Sequence, residues 1–235
     1  MTKSSVEQIR ERFDRDVERF SNLETGQTAT MDAALVLDLI AQTMAKTNPG
    51  ARDILDVGCG AGNYTLKVLN NLPNLNATLI DLSAPMLDRA VSRVQASTKG
   101  SVTAIQGDIR EVDLGSARFD VIVAAAVLHH LRETDEWTRV FSKFYECLKP
   151  GGSVWISDLV SHSVPTIQDV MWNRYADYLA AFKGEEYRDH VLAYVTQEDT
   201  PTPLLFQCEL LRGSGFREVE ILHKNAVFAA FCAIK

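Results

Sequence analysis

Three groups of residues in this chain have types and spacing that could do chemistry. The first is a glycine run, Asp56-Val57-Gly58-Cys59-Gly60-Ala61-Gly62-Asn63, entered from the apolar Ile54-Leu55. An apolar stretch ending in an acid, then glycine at every second position, predicts a strand turning sharply into a helix. Glycine there lets a ligand lie against the main chain, and the following helix aims its unpaired N–H groups at that ligand. Gly58 is the position where a β-carbon is expected to intrude on the ligand. The second group is a series of acids, Asp56, Asp81 and Asp108, each placed where a strand should end. A carboxylate after the second strand can accept both hydroxyls of a ribose, although capping a helix is the plainer role for Asp81. Asp108 could accept from an adenine amino group, with Leu82 and Ile109 as apolar slabs on the two ring faces. The third group is His129-His130, just beyond the fourth strand. Imidazole is the side chain best suited to a general base near neutral pH; the plainer role is a turn with one ring bonded to backbone.

Elements must hold these groups in place. Ser5 to Phe20 puts Val6, Ile9, Phe13, Val17 and Phe20 on one helical face, with Ser4 or Ser5 as cap. A polar loop containing Gly26 leads to a second amphipathic helix from Met31 to Met44, and Asn48-Pro49-Gly50 ends that region. From residue 52 strands and helices alternate, with strands expected at 54–57, 77–81, 102–105, 119–125 and 153–159. Ser83 caps a helix that takes Pro85 into its first turn. Residues 217–222 and 226–234 read as two further strands joined by a short turn. The alternation predicts an α/β fold: a doubly wound, mostly parallel, seven-stranded Rossmann-like sheet with a C-terminal antiparallel hairpin and a helical cap. Ligands in such sheets sit at the carboxyl ends of the strands. The expected organisation is a helical cap at 1–50, a ligand-binding α/β domain from 51–160 and 213–235, and a helical lid insertion at 161–212.

The glycine spacing departs from the dinucleotide fingerprint G-x-G-x-x-G, whose last glycine would fall on Asn63. D-x-G-x-G-x-G instead resembles motif I of the class I S-adenosylmethionine-dependent methyltransferases. Asp81-Leu82-Ser83-Ala84-Pro85-Met86-Leu87, Gly107-Asp108-Ile109, Phe119-Asp120-Val121-Ile122 with Val127-Leu128-His129-His130-Leu131, and Leu148-Lys149-Pro150-Gly151-Gly152 resemble that family's later segments, in order and in phase with the strands. The resemblance implies S-adenosylmethionine as cofactor. It implies binding by Asp56, Gly58, Cys59, Gly60, Asp81, Leu82, Met86, Asp108, Ile109 and the backbone near Ala124. A sulfonium methyl group is already an activated electrophile, so the protein need only align the acceptor and exclude water. No metal is expected.

The acceptor is expected to be a small molecule. Phe13 and Phe20 are candidate pocket walls, by similarity to methyltransferases whose N-terminal helices cap the site. In the lid, Trp172, Tyr175, Tyr178, Leu179 and Phe182 recur at helical spacing, a stripe that is core as readily as pocket. The segment 162–212 carries four basic and eight acidic residues, a net of −4, and the whole chain is at −7. Direct nucleic-acid binding is disfavoured by that balance. An alternative is similarity in outline to carboxy-S-adenosylmethionine synthases of tRNA wobble-uridine modification, with Arg174 or Arg188 holding the transferred carboxylate. A non-catalytic S-adenosylmethionine-binding module is a third reading. Scattered cysteines (Cys59, Cys147, Cys208, Cys232), no membrane-length apolar run and no leader pattern point to a cytoplasmic protein, with a homodimer open.

Overall fold

The computed structural model of the chain describes residues 3–22 and 27–235, so Met1, Thr2 and the loop glycine Gly26 lie outside the described residues. The N-terminal helix divides into α1 (Val6–Arg15) and α2 (Val17–Ser21), with Asp16 non-helical between them. Ser5 is the cap of α1, closing a capping box with Gln8. Of the apolar face expected here, Ile9 is buried and Val6 is exposed. Helix α3 (Ala33–Thr47) follows.

Then come β1 (Asp53–Val57), α4 (Asn63–Leu69), β2 (Asn76–Asp81), α5 (Ala84–Gln95), β3 (Val102–Gln106), β4 (Phe119–Ala125), a 3-10 turn (Leu128–His130), α6 (Thr134–Cys147) and β5 (Leu148–Leu159). Ser83 caps α5 through a bond from the Met86 N–H, with proline in its first turn. Beyond β5 lie α7 (Pro165–Lys183), α8 (Glu185–Glu198), α9 (Leu204–Gly213), β6 (Glu218–Asn225) and β7 (Phe228–Ile234).

The strands form one seven-stranded sheet in the order β3-β2-β1-β4-β5-β7-β6. Pairings from β3 through to β5 are parallel, and β7 runs antiparallel to both β5 and β6. This is the Rossmann-like sheet and antiparallel hairpin that the sequence predicts. Side chains alternate between two cores. Leu55, Val57, Ile122, Ala124, Val154 and Ile156 face α6 and α9 through Phe141, Phe144 and Leu211. Ile54, Val121, Val123 and Trp155 face α3, α4 and α5 through Ile40, Met44, Val68 and Ala90. A period of two sends alternate residues to opposite faces, so a strand apolar throughout must be covered on both.

A third cluster belongs to α7 and α8. Tyr175, Leu179, Val191 and Val195 pack with Met31, Leu159 and Val227. These helices are tied to the sheet by the Ser161 N–H bonded to the Thr202 carbonyl (3.1 Å) and the Thr200 N–H bonded to the His129 carbonyl (2.7 Å). The second bond brings the end of α8 against the histidine turn.

Candidate active site

The glycine turn follows β1, and its glycines answer to different neighbours. At Gly58 (φ +64°) a β-carbon would lie 2.5 Å from Cγ2 of Val127, on the turn after β4. The intrusion expected at this position therefore falls on Val127, a protein side chain, and the close approach of two turns is what demands glycine. At Gly60 (φ +50°) a β-carbon would meet nothing within 4 Å, so the main chain there is bare to open space. Gly62 sits against Ala90 and Val94 of α5, where a side chain would press the helices apart. The turn is held by the Cys59 N–H on the Ile80 carbonyl (2.9 Å) and the Gly60 N–H on Asp81 Oδ2 (2.8 Å).

The three strand-end acids occupy different environments. Asp56 is 2% exposed, behind the turn, and accepts a bond from the Thr65 hydroxyl (2.6 Å). Burial pushes its carboxyl up to about 7, against the pull of that bond. Asp81 accepts the Gly60 N–H on one oxygen and the Ser83 N–H (2.9 Å) on the other. Burial raises its pKa and those backbone donors oppose the rise. Each carboxylate oxygen has two lone pairs, so both retain capacity for a ligand. Asp108 is taken up more fully. Its Oδ1 accepts the Arg110 N–H and Nε (both 2.9 Å), while Arg110 also reaches Glu136 (2.7 Å). Burial would raise Asp108, but the Arg110 bonds and charge outweigh it and hold it below the usual range. An adenine amino group would share this carboxylate with a guanidinium.

An open cleft lies at the carboxyl ends of β1, β2 and β3. Gly58, Asp81, Leu82, Asp108 and Ile109 line it, with Val6 and Ile9 of α1 forming a wall and Val127, His130, Leu131, Arg110 and Arg132 completing it. Asp56, Cys59, Gly60, Met86 and Ala124 are not on that wall: Met86 is 1% exposed on the buried face of α5 and Ala124 is fully buried within β4.

The two histidines part company. His130 lines the cleft, and its ring stands edge-on to Phe13 (6.1 Å between centroids). Neither His130 ring nitrogen has a hydrogen-bond partner of good geometry among the described residues. Burial first, then the charges of His129, Arg12 and Arg132, drops its pKa well below the ordinary value, leaving a neutral ring. His129 is buried behind it, and its Nδ1 bonds the Asp158 carboxylate, where backbone was the plainer expectation. Asp158 is itself fixed by the Leu128 N–H (2.7 Å) and the Leu159 N–H (2.7 Å). Burial would lower the His129 pKa, but Asp199 and Asp158 outweigh it and lift it to about 9.

Of the expected pocket residues, Phe13 and Phe20 contact one another (5.7 Å) beside the cleft. Trp172 and Tyr175 belong to the third core cluster instead, where Tyr175 donates its hydroxyl to the Ala29 carbonyl (2.9 Å). Arg188 pairs with Asp189 (2.8 Å) at the surface, and Arg174 is exposed. Neither arginine is on the cleft wall. Arg12, Arg110, Arg132, Asp158 and Asp199 contribute to the site without having been singled out from sequence. Asp158, near the end of β5, repeats the strand-end placement of the other acids and was open to the same reasoning. Asp199 follows α8 and carries no such signal.

Residues 54–152 match the family described as "Methyltransferase domain". The chain is 29% identical over 124 residues to an uncharacterized methyltransferase of Mycobacterium tuberculosis, covering 53% of this chain and 57% of that protein. It therefore spans little more than half the length of that relative. It is 27% identical to a demethylmenaquinone methyltransferase of Lactococcus lactis (77% of this chain, 73% of that one). It is 26% identical to a carboxy-S-adenosyl-L-methionine synthase of Nautilia profundicola (77% and 76%). Among solved structures, the [4+2]-cyclase SpnF superposes over 100% of this chain and 97% of its own with a TM-score of 0.67 at 15% identity, a likeness of fold.

Proposed function

We propose that residues 54–152, which match a methyltransferase-domain family, are a class I S-adenosylmethionine-dependent methyltransferase domain, and that the chain transfers the cofactor's methyl group to a small-molecule acceptor. The observation that carries this reading is one cleft lined by Gly58, Asp81, Leu82, Asp108 and Ile109 together. The residues fit the cofactor on two counts: the Gly60 main chain is bare to open space, and the Asp81 oxygens retain unused lone pairs. When bound, S-adenosylmethionine supplies a sulfonium methyl group as the electrophile.

The chain's own part is to bind, orient and exclude water. Asp81 accepts the ribose hydroxyls, and charge-assisted bonds of this kind are the stronger sort. Leu82 and Ile109 flank the adenine. Val6 and Ile9 of α1, with Phe13 and Phe20 beyond them, close the acceptor side, where sealing from water strengthens alignment. His130 presents a neutral imidazole to the bound acceptor. Segments 6–21 and 165–198 form the cover of the site in this reading.

Relatives of similar identity bear the names of a methyltransferase and of a carboxy-cofactor synthase. The second reading loses the arginines it would draw on, since Arg174 is exposed and Arg188 is spent in surface ion pairs. Mass analysis of ligand copurified with the full chain, followed by calorimetry with S-adenosylmethionine, tests the proposal. The expected result is a methyl sulfonium or its demethylated product, with measurable affinity. A carboxymethyl sulfonium would move the chain to the other class, and no affinity for either would remove the cofactor reading.

A further inference from the structure

Behind the cleft wall lies a cluster that cofactor binding does not use. His129 on the turn after β4, its neighbour His130, and Asp199 at the end of α8 converge on one point. Asp199 Oδ1 lies 3.6 Å from His129 Nε2 and 3.4 Å from His130 Nδ1, and the three ligand atoms all lie within 4.8 Å of one another. We propose that these three atoms form a binding site for a single divalent transition-metal cation, of the class that takes mixed nitrogen and oxygen donors.

Four observations support the assignment. The first is size: a tetrahedral ion with bonds of about 2.1 Å has ligand atoms about 3.4 Å apart. The second is unsatisfied donors. Asp199 is 4% exposed, yet among the described residues its Oδ1 has no hydrogen-bond partner, and both His130 ring nitrogens are in the same condition. Buried polar atoms left so are costly and need an explanation. The third is the Asp158 carboxylate on His129 Nδ1, which fixes the ring so that Nε2 faces Asp199. A carboxylate behind a ligating imidazole is the usual outer partner of such sites. The fourth is position. His130 lies on the cleft wall, so one side chain separates the three buried ligand atoms from the cleft.

The competing occupant is a second proton on His129. Glu198 nearby is already matched by Arg12 (2.8 Å), and Arg132 is engaged with the Ser4 carbonyl. Asp158 and Asp199 are the carboxylates that face His129, while the Arg12 and Arg132 charges bear on the histidine pair and the Lys3 ammonium bonds the Asp199 carbonyl. A proton on His129 offsets one of those carboxylates, whereas a divalent cation offsets both. Ligand imidazoles must be unprotonated, so the two occupants exclude one another and metal affinity rises with pH.

Zn²⁺ and Co²⁺ are the probes, titrated into full-length protein freed of metal with a chelator. Calorimetry is expected to read one Zn²⁺ per chain, and Co²⁺ to give a visible spectrum of nitrogen and oxygen ligation without a thiolate band. Asp199→Asn and His130→Gln should each weaken Zn²⁺ at least tenfold. Asp158→Asn should weaken it about 10–100-fold at unchanged stoichiometry. Circular dichroism establishes that the variants are folded; should Asp199→Asn fail to fold, His130→Gln, on the open wall, carries the test. No Zn²⁺ or Co²⁺ binding at high-micromolar metal, or equal binding by parent and variants, overturns the site. The proposal does not depend on methyl transfer, because S-adenosylmethionine affinity is measured separately.

Discussion

Asp81 holds the glycine turn and faces the cleft with the same two oxygens. Asp81→Ala should weaken S-adenosylmethionine by ~1.5–3 kcal/mol, since it removes a charged acceptor and leaves ribose hydroxyls unpaired. Asp108→Ala should cost less, because Arg110 already claims that carboxylate. Calorimetry decides, and unchanged binding in both variants would contradict the cofactor site. The glycines separate in the same way. Gly58→Val drives a β-carbon into Val127 at a positive φ, so it should lower the melting temperature by the equivalent of about 2–4 kcal/mol. Gly60→Ala meets only open space, so it should cost about 1 kcal/mol of backbone strain and lose cofactor affinity out of proportion. Equal stability in these two variants would show that Val127 does not press on the turn. Asp56 adds a pH dependence. Its folded pKa, about 7, lies above the ordinary carboxyl value, so the folded state binds the proton more tightly than the unfolded chain. Stability on this account is greatest below about pH 4 and declines as pH rises toward 7. The Asp56→Asn variant lacks that decline. It should gain on the parent by up to roughly 4 kcal/mol across this window in denaturant titrations; a constant difference would refute the buried-acid account.

At the level of elements, α1 lines the cleft through Val6 and Ile9, and α2 continues it. They are tied to the rest by Asn63 on the Phe20 carbonyl (2.8 Å), by Arg89 on Glu18, and by Arg12, which bonds Glu198 through two nitrogens (2.8 and 3.1 Å), reaches the Tyr194 hydroxyl (2.8 Å) and lies over both the Phe13 and Tyr194 rings. Arg12→Met leaves Glu198 7% exposed without its partner, which should speed hydrogen exchange across residues 6–21. Added S-adenosylmethionine should slow exchange there in the parent. Residues 165–198 should respond less, because Tyr175 and Leu179 give α7 and α8 a core of their own. Identical exchange in parent and variant would mean that Arg12 does not hold the cover. The central strands were legible in the sequence because they carry apolar runs, and β4 coincides with its expected range, 119–125, whereas β5 begins at Leu148 and takes in the Lys149-Pro150-Gly151-Gly152 stretch expected as a turn. The acids after them followed from the rule that such sheets bind at their carboxyl ends. Asp16 breaking the first helix was not legible, since the apolar spacing runs unbroken across it. Nor was Asp199, because only the folding of α8 back onto the histidine turn brings it to the site. The Tyr175 stripe had two readings at sequence level, and the side packed on Met31 and Val227 is what separates them.

Over the whole molecule, the net charge is −7, and no described helix is long and apolar enough to cross a membrane. The sheet itself has a consequence for how the chain is made. β7 is last in chain order but lies between β5 and β6. During synthesis, the outer edge of β5 is complete at residue 159 and keeps its backbone groups unpaired until residue 234 exists. At about 5–20 residues per second, those 75 residues take about 4–15 s. Throughout that time β6 cannot substitute, because its pairing partner is β7. An open strand edge invites pairing with another chain. A chain stopped after Asn225 should therefore scatter light and bind a hydrophobic dye, and a clear monomeric product would remove this expectation. Order of manufacture and order in space disagree at one strand, so the newborn chain carries an open edge until that strand is made.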